Sequence, residues 1–182
     1  PTTRHLAVAK MRSSSSAVAL CVALCSHTHA QTEVAHACGS TCTSSASSGT
    51  SSLAFDGNQD TRWESDQNDG EWLSLDLGQV RSLVSIDILW EYALAYRYKL
   101  QFEGAAGSLT GPWSDSGSIS VTNGDGTTGS GAIKPDSVMT TLSPAVSARY
   151  IRIYCEQRAT AWGNSIWELY AYAEAESPPP PA

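Results

Sequence analysis

Apolar and polar residues alternate along several short stretches of the chain. Between residues 72 and 78, Leu73, Leu75 and Leu77 occupy every second position. A two-residue repeat is typical of a strand that buries one face. The same repeat recurs in residues 83–90, where Val84, Ile86, Ile88 and Trp90 share a face, and in residues 97–103, where Tyr98, Leu100 and Phe102 do so. The pattern predicts three strands, each with an apolar side turned toward a core.

The alternation returns near the carboxyl end and encloses a loop. In residues 149–156, Ile151 and Ile153 fall on one face, and residues 165–172 alternate again. The segment between them contains Trp162. A loop held between two rigid strands often carries binding residues, so we expect a strand, a functional loop and a last strand.

Weaker strand patterns occupy residues 113–121 and 138–142, with a Gly-, Thr- and Ser-rich turn at residues 123–131 between them. Long amphipathic repeats of helical period are absent from the sequence. The chain is also rich in Ser, Thr, Gly, Trp and Tyr. Many short strands separated by turn residues favour an all-β sandwich of antiparallel strands.

The first thirty residues have the pattern of a processing segment. Met11 and Arg12 precede a serine run and the apolar stretch 17–25, and Ala30 supplies a small residue for cleavage. This pattern predicts a secretory signal peptide, because the apolar stretch is shorter than the ~20 residues that a spanning helix needs. A disordered basic tail is the alternative.

Composition divides the rest of the chain into three parts. Residues 31–52 are Ser/Thr-rich and predict an extended or loosely ordered lead-in. Residues 53–173 carry the strand patterns and predict the folded domain. Residues 174–182 end in four prolines, which predict an extended tail or linker.

The charge balance bears on possible partners. The formal net charge is -7, and loss of Arg4, Lys10 and Arg12 with the signal peptide would change it to -7 - 3 = -10. Such a surface repels a phosphate backbone, so nucleic acid is not an expected partner. Calcium, cationic glycans and neutral sugars remain compatible with this charge.

Three cysteines would remain after secretion into an oxidising compartment: Cys38, Cys42 and Cys155. An odd number predicts one disulfide and one free thiol. A Cys38–Cys42 bridge and a bridge from either of them to Cys155 are both open.

Four segments in order carry a family resemblance. They are Ala54-Phe-Asp-Gly-Asn-Gln-Asp-Thr-Arg-Trp-Glu-Ser, Trp72-Leu-Ser-Leu-Asp-Leu-Gly, Trp90-Glu, and residues 149–170. Together they resemble the discoidin domain, also called the coagulation factor five/eight type C domain, and within it the family-32 carbohydrate-binding modules. The resemblance covers residues 38–173. It implies a galactose-binding-like jelly-roll β-sandwich of antiparallel strands.

The resemblance also implies a structural calcium ion, since family members commonly hold one. Calcium takes six to eight oxygen ligands, including carboxylates and backbone carbonyls. The implied ligands are the carboxylates of Asp56 and Glu168, the hydroxyl and carbonyl of Thr61, and the carbonyls of Leu53, Asn58 and Trp167. The alternative is a capped turn at Asp56 with Glu168 in a salt bridge, for which Arg62 is a candidate partner.

Sugar binding in such modules is implied for loops at one end of the sandwich. Trp162 matches the loop aromatic of the family, and Glu91 matches an acid of the chitosan- and glucan-binding members. Other residues that could line the same rim are Glu64, Asp66, Tyr96, Arg158 and Asn164. An acidic rim favours amino sugars, which offer an ammonium group.

Each of these residues also has an ordinary interpretation. Trp162 could be a loop anchor packed on the core, Arg158 a clamp within its loop, and Glu91 a solvated acid. The residues Trp63, Trp72, Trp90 and Trp167 lie within strand patterns and are expected to pack in the core or at sheet edges. The Ser-Asn-Asp segment that helps galactose-binding members is missing, which argues against galactose.

Catalysis is not expected. After signal removal the one histidine is His36, in the predicted lead-in, so no Ser-His-Asp triad can form in the core. A domain of this size offers a shallow loop face for carboxylates, not a deep cleft. The sequence therefore predicts a secreted, non-catalytic carbohydrate-binding module of the extracellular matrix or cell wall, with polysaccharide or glycoprotein glycans as partners.

Two other interpretations remain open. One is an adhesion or matrix domain that binds protein or phospholipid; the loops offer only Trp162 and Leu94 as apolar residues, which makes lipid the weaker choice. The other is an accessory module of a larger glycan-active enzyme.

Overall fold

The computed structural model describes residues 30–37, 42–113, 119–122 and 137–175. The predicted signal peptide, the Gly-rich turn at 123–131 and the prolines of the tail lie outside these residues. Within the described part of the chain, no helix has the length and apolar character needed to cross a membrane.

Eight strands and one short 3-10 helix, Ser51–Ala54, make up the regular structure of the described residues. The strands are β1 (Gln31–Glu33), β2 (Thr43–Ala46), β3 (Trp63–Glu64), β4 (Glu71–Trp90), β5 (Ala95–Glu103), β6 (Ile119–Thr122), β7 (Val138–Arg158) and β8 (Ser165–Glu174). The predicted strands at 72–78 and 83–90 are therefore two halves of one long strand, β4.

All strand pairs are antiparallel, in the order β1-β8-β4-β7-β5-β6, with β2 added beside β4 and β3 beside β8. The first half of β4 pairs with residues 150–155 of β7, and its second half pairs with residues 138–148 of β7 on one side and with β8 on the other. Register shifts between Asp76 and Arg81 interrupt the β4–β7 ladder. Such irregularities bend long strands, so one sheet folds over itself into two layers. The predicted antiparallel jelly-roll sandwich of the galactose-binding type is confirmed.

The alternation predicts most of the core. The inward side chains of β4 and β7 are buried, and they include Leu73, Leu75, Leu77, Ile151 and Ile153. Trp63 and Trp90 are completely buried as expected, whereas Trp72 and Trp167 are half-exposed on the outer faces.

One inward position in β4 was predicted wrongly. Val84 is half-exposed, and its neighbour Leu83 is buried instead. The pairing register shifts between Leu83 and Ser85. An extra residue in a bulge exchanges the two faces, which a strict two-residue repeat does not detect.

The lead-in is more ordered than its composition suggests. β1 pairs with β8 from Gln31 opposite Glu174, and β2 pairs with the first half of β4. Val34 is buried, and its N–H donates to the carbonyl of Ala171 at 2.8 Å. Of the two predicted states, extended or loosely ordered, these segments adopt the extended one as strands. They cover strand edges that would otherwise present unpaired backbone groups.

The structure decides part of the cysteine pairing. Cys155 is a buried free thiol in β7, and burial raises its pKa. Cys42 is disulfide-bonded. Its partner lies outside the described residues, and the alternatives that bridge to Cys155 are excluded.

Candidate functional site

Three loops meet at one end of the sandwich: residues 64–70, 91–94 and 159–164. Backbone hydrogen bonds join them in pairs. The N–H of Ser165 donates to the carbonyl of Ala93 at 2.7 Å, and the N–H of Ser65 donates to that of Asn164 at 2.9 Å. The N–H of Ala159 donates to the carbonyl of Leu94 at 3.0 Å. Because regular backbone bonds hold the loops, this end has a defined shape.

Trp162 projects from the third loop into solvent. Its relative exposure is 62%, against 0% for Trp63 and Trp90. The backbone N–H of Trp162 donates to the hydroxyl of Thr160 at 3.2 Å, and this bond fixes the backbone beneath the ring. The structure therefore does not support the interpretation of Trp162 as a loop anchor packed on the core. An exposed indole on a fixed backbone is suited to stacking on a flat apolar surface.

Arg158 holds this loop in place. Its backbone N–H and its Nε both donate to Oδ1 of Asp69, at 3.0 and 3.1 Å. Its Nη1 lies 3.2 Å from the carbonyl oxygen of Ala161 and 3.4 Å from that of Trp162. The backbone N–H of Arg158 contributes most to a lowered pKa of Asp69. Arg158 therefore acts as the loop clamp of the alternative interpretation, and Asp69 is its partner.

Asn164 does not lie on the rim. It is completely buried, its N–H donates to the hydroxyl of Ser65 at 2.8 Å, and its Nδ2 lies 3.3 Å from the same oxygen. The prediction that Asn164 reads a sugar is therefore wrong, because the side chain is used to join the first and third loops. Gly163 shares this close contact, since a Cβ there would lie 2.1 Å from the carbonyl oxygen of Ser65.

The remaining predicted rim residues are accessible to different degrees. Glu64 is exposed and pairs with Arg62 at 3.2 Å, and Asp66 is exposed beside it in sequence. Glu91 is half-buried, with its Oε2 accepting a backbone N–H two residues further on at 2.7 Å. Tyr96 is half-buried. Three acids, Glu64, Asp66 and Glu91, thus lie in or beside the joined loops, and the sugar-binding roles of these residues stay predictions.

The predicted calcium turn is folded around oxygen atoms. Oδ1 of Asp56 accepts the N–H of Asn58 at 2.9 Å. The hydroxyl of Thr61 lies 2.7 Å from Oδ2 of Asp56 and 2.9 Å from the carbonyl oxygen of Asn58. Burial acts to raise the pKa of Asp56, but hydrogen bonds from Thr61 and Asn58 outweigh it and hold the pKa below its usual value. The turn therefore presents an ionised carboxylate, a hydroxyl and a carbonyl together.

Glu168 of β8 supplies a second carboxylate from the opposite end of the domain sequence. It is completely buried, and its Oε1 has no hydrogen-bond donor among the described residues. Burial raises its pKa, the hydrogen bond from His36 opposes that effect, and the nearby charge of Asp56 adds to it. Arg62 does not pair with Glu168 and lies instead 5.1 Å over the ring of Trp167. Glu168 pairs with His36 instead, at 2.7 Å, so the salt bridge of the alternative interpretation is formed with a different partner, and the turn at Asp56 is capped as that interpretation expects.

His36 was missed as a site residue because it falls in the segment predicted to be loose. Its Nε2 lies 2.7 Å from Oε2 of Glu168, and its Nδ1 lies 3.3 Å from a Glu33 oxygen. The hydrogen bond with Glu33 is the largest cause that raises the His36 pKa to about 8, with Glu168 adding to it. The three-residue spacing of Glu33 and His36 is too common in sequences to predict their contact, and no local pattern predicts the contact of His36 with Glu168.

These groups fit a calcium ion in part. Asp56, Asn58 and Thr61 lie together, and Glu168 is close enough to Asp56 for each carboxylate to affect the pKa of the other. The described residues contain no group of three or more His, Cys, Asp or Glu side chains placed to hold a metal. A site here would thus rely on hydroxyl and carbonyl oxygens beside the two carboxylates, a mixture that calcium accepts. The carbonyls of Leu53 and Trp167 stay predicted ligands.

Two solved structures similar to this chain are chitosan-binding modules. Chitosan-binding module 2 of a chitosanase/glucanase from Paenibacillus sp. IK-5, solved with chitotriose, is 31% identical, with 71% of this chain and 94% of that chain covered and a TM-score of 0.59. Module 1 of the same enzyme is 28% identical, with 72% and 94% covered and a TM-score of 0.60.

A more distant structure shares the fold. The family 32 module of C. perfringens NanJ, solved with galactose, is 22% identical, with 79% of this chain and 99% of that chain covered and a TM-score of 0.56. No curated protein matches the chain.

The model of the F5/8 type C domain family matches residues 39–169, which include all three loops, the turn at Asp56 and Glu168. The order of the four sequence segments, the antiparallel sandwich and this match agree, and the chain belongs to the F5/8 type C domain family.

Proposed function

We propose that this chain is a non-catalytic carbohydrate-binding module that holds polysaccharide at the loop end of its sandwich. The observation that supports it most directly is Trp162, 62% exposed on a loop that Arg158 clamps to Asp69. An indole held outward in this way can stack on the apolar face of a sugar ring without first being ordered, which lowers the entropic cost of binding. The surrounding polar side chains would select the sugar by hydrogen bonding.

Amino-sugar polymers are the substrate class that we propose for this site. Glu64 and Asp66 are exposed beside the Trp162 loop, and Glu91 lies in the adjoining loop. Carboxylates form strong, charge-assisted hydrogen bonds to ammonium groups. The two structures from Paenibacillus are described as chitosan-binding modules, which is consistent with this class.

We further propose that calcium stabilises the domain. The turn at Asp56 and the buried Glu168 would hold the ion, together with Thr61 and the carbonyl of Asn58. Supporting this, Oε1 of Glu168 is buried without a hydrogen-bond donor in the described structure, and leaving a buried charged atom without a partner is costly. Calcium would supply the missing partner and would connect the first turn to the last strand.

Secretion is part of the same proposal. Cys42 is disulfide-bonded, and disulfides persist in oxidising compartments such as the extracellular space. We place the module in an extracellular matrix or cell wall, where polysaccharides are its natural partners.

The sugar site is tested by titrating chitotriose into the protein and into a Trp162→Ala variant by calorimetry. We expect the variant to bind chitotriose at least about tenfold more weakly, since a stacked aromatic side chain at a binding site contributes well over 1.4 kcal/mol. Val80→Ala is the control, because Val80 is 44% exposed and lies about midway along β4, whose two ends adjoin the loops. Unchanged affinity in Trp162→Ala, with the fold intact, would disprove the assignment.

A further inference from the structure

The positive charges of this acidic chain are concentrated on two neighbouring strands. Eight lysines and arginines follow residue 30, and β5 and β7 hold five of them: Arg97, Lys99, Arg149, Arg152 and Arg158. The same two strands hold two of the eighteen acids, Glu103 and Glu156. β5 and β7 pair with each other along their length. Arg149 is paired with Asp76 and Arg158 with Asp69, so the local basic surface on this negatively charged protein rests on the other three, Arg97, Lys99 and Arg152.

Strand register shows which side of the sheet carries this surface. Tyr154 of β7 is the direct register partner of Trp72 of β4 on one side and of Lys99 of β5 on the other. The neighbouring row, with Ile153 and Leu100, is buried in the core. Partners in an antiparallel ladder point to the same side, so the first row points outward. We name the basic strip by its outward residues Trp72, Arg97, Lys99, Trp113, Arg152 and Tyr154.

Contacts within the strip hold cations against flat rings. The guanidinium of Arg152 lies 4.9 Å over the ring of Trp113 and 5.2 Å from that of Tyr154. Its Nε also donates to Oε1 of Gln101 at 2.6 Å. Cation–π contacts and this hydrogen bond fix the guanidinium in one orientation. The ring of Tyr154 remains half-exposed beside it.

The edge of the strip carries two further cations. Lys99 pairs with Glu156 at 3.4 Å, and Arg97, two residues earlier on β5, is exposed. Half-exposed rings beside ammonium and guanidinium groups combine stacking on sugar faces with recognition of anions. Neutral polysaccharides do not need the cations, and duplex DNA, which is also a polyanion, serves as the control for general charge.

We propose that the basic strip is a second polysaccharide-binding surface, specific for anionic chains that carry carboxylate or sulfate groups. It differs in charge from the loop end, where the acids Glu64, Asp66 and Glu91 lie in or beside the joined loops. The strip lies on the sheet face next to the loops, because Tyr154 and Arg158 belong to the same strand. One module would then contact an amino-sugar polymer at its loops and an acidic polymer on its sheet. The proposal does not depend on the loop site.

Affinity electrophoresis with three dextrans tests the strip. Carboxymethyl dextran, dextran sulfate and unmodified dextran share one backbone and differ in their charged groups. Comparing them shows whether the strip recognises carboxylate groups, sulfate groups or both. We expect retardation of the protein by at least one charged dextran and none by the unmodified polymer. The double variant Arg97→Gln/Lys99→Gln should bind at least about fivefold more weakly, as expected for the loss of two contacting charges.

Matched controls separate a site from general charge. Arg62→Gln/Arg81→Gln removes the same number of charges elsewhere and should keep the binding, as should Trp162→Ala. If the double variant is unstable, the single variant Arg97→Glu replaces it in the test, because Arg97 is exposed and its substitution should leave the fold intact. It should also weaken binding to the charged dextrans. The proposal is overturned if neither charged dextran retards the protein, if both double variants lose binding equally, or if duplex DNA retards it as strongly as the charged dextrans.

Discussion

Arg149 of β7 forms a bidentate salt bridge with Asp76 of β4: Nε donates to Oδ1 at 2.7 Å and Nη2 donates to Oδ2 at 2.8 Å. Oδ1 also accepts the N–H of Gly78 at 2.8 Å. The pair lies where the β4–β7 ladder is interrupted, directly after Asp76. A two-pronged charged contact at that point holds the two long strands together while they bend.

This pair predicts a dependence of stability on pH. Burial acts to raise the pKa of Asp76, but the bonds from Arg149 and Gly78 outweigh it, so the folded-state pKa lies below the usual value of 3.8. The contribution is therefore fully present above about pH 4 and is lost as the pH falls through the folded-state pKa. Asp76→Asn should lower the melting temperature by several degrees at pH 7 and by much less at pH 3. Thermal denaturation of both proteins across this range measures the difference. Asp66→Asn, an exposed acid, is the control, and an equal gap at both pH values would contradict the prediction.

The contact between Gly163 and Ser65 predicts a steric limit at the loop end. A Cβ at position 163 would lie 2.1 Å from the backbone oxygen of Ser65, and backbone cannot move aside as a side chain can. Gly163→Ala should therefore destabilise the protein by about 1–3 kcal/mol, the usual cost of overpacking, and should weaken chitotriose binding by displacing the Trp162 loop.

Urea denaturation and calorimetry measure these two effects. Gly104→Ala is the control, because a Cβ there meets nothing within 4 Å. If Gly163→Ala is as stable as the control and binds normally, the close packing of the two loops has no energetic importance.

Calcium binding predicts stabilisation that a chelator removes. A ligand at about one hundred times its dissociation constant stabilises the folded state by about 2.7 kcal/mol, which for a domain of this size corresponds to several degrees. The melting temperature should fall by that amount when EDTA is added and recover with excess calcium.

Two variants of the same turn make the calcium test specific. Asp56→Asn should abolish the shift, because it removes the charge of a proposed ligand. Asp60→Asn should keep it, since Asp60 is an exposed acid of the turn that is not a proposed ligand. A melting temperature that does not change in EDTA, or a shift lost equally in both variants, would disprove the calcium site.

Much of the architecture could be predicted because it follows from local alternation. Residues such as Leu75 and Ile153 are buried wherever their strands pair, so a two-residue repeat is enough to find the core. Trp162 could also be selected, since a tryptophan outside any strand pattern has no core face to occupy. Asn164 was misplaced because its partner, Ser65, is 99 positions away in the sequence.

The order in residues 31–37 and 43–46 could not be inferred from composition. Serine- and threonine-rich segments rarely contain enough apolar surface to fold alone. Here β1 and β2 are held by the edges of β8 and β4, which supply the missing hydrogen-bond partners. His36 thereby reaches Glu168, a contact that depends on a strand edge formed from the other end of the domain.

The sequence by itself determined the fold class, most of the apolar strand faces and the family, because these depend on residue type and on neighbours in the chain. Tertiary structure decided that Trp162 is exposed. It also decided which polar groups meet: Arg158 with Asp69, Asn164 with Ser65, Glu168 with His36, and Arg152 with two aromatic rings. These contacts join residues that the folding of one bent sheet brings together. They could not be predicted from the spacing of the residues along the chain.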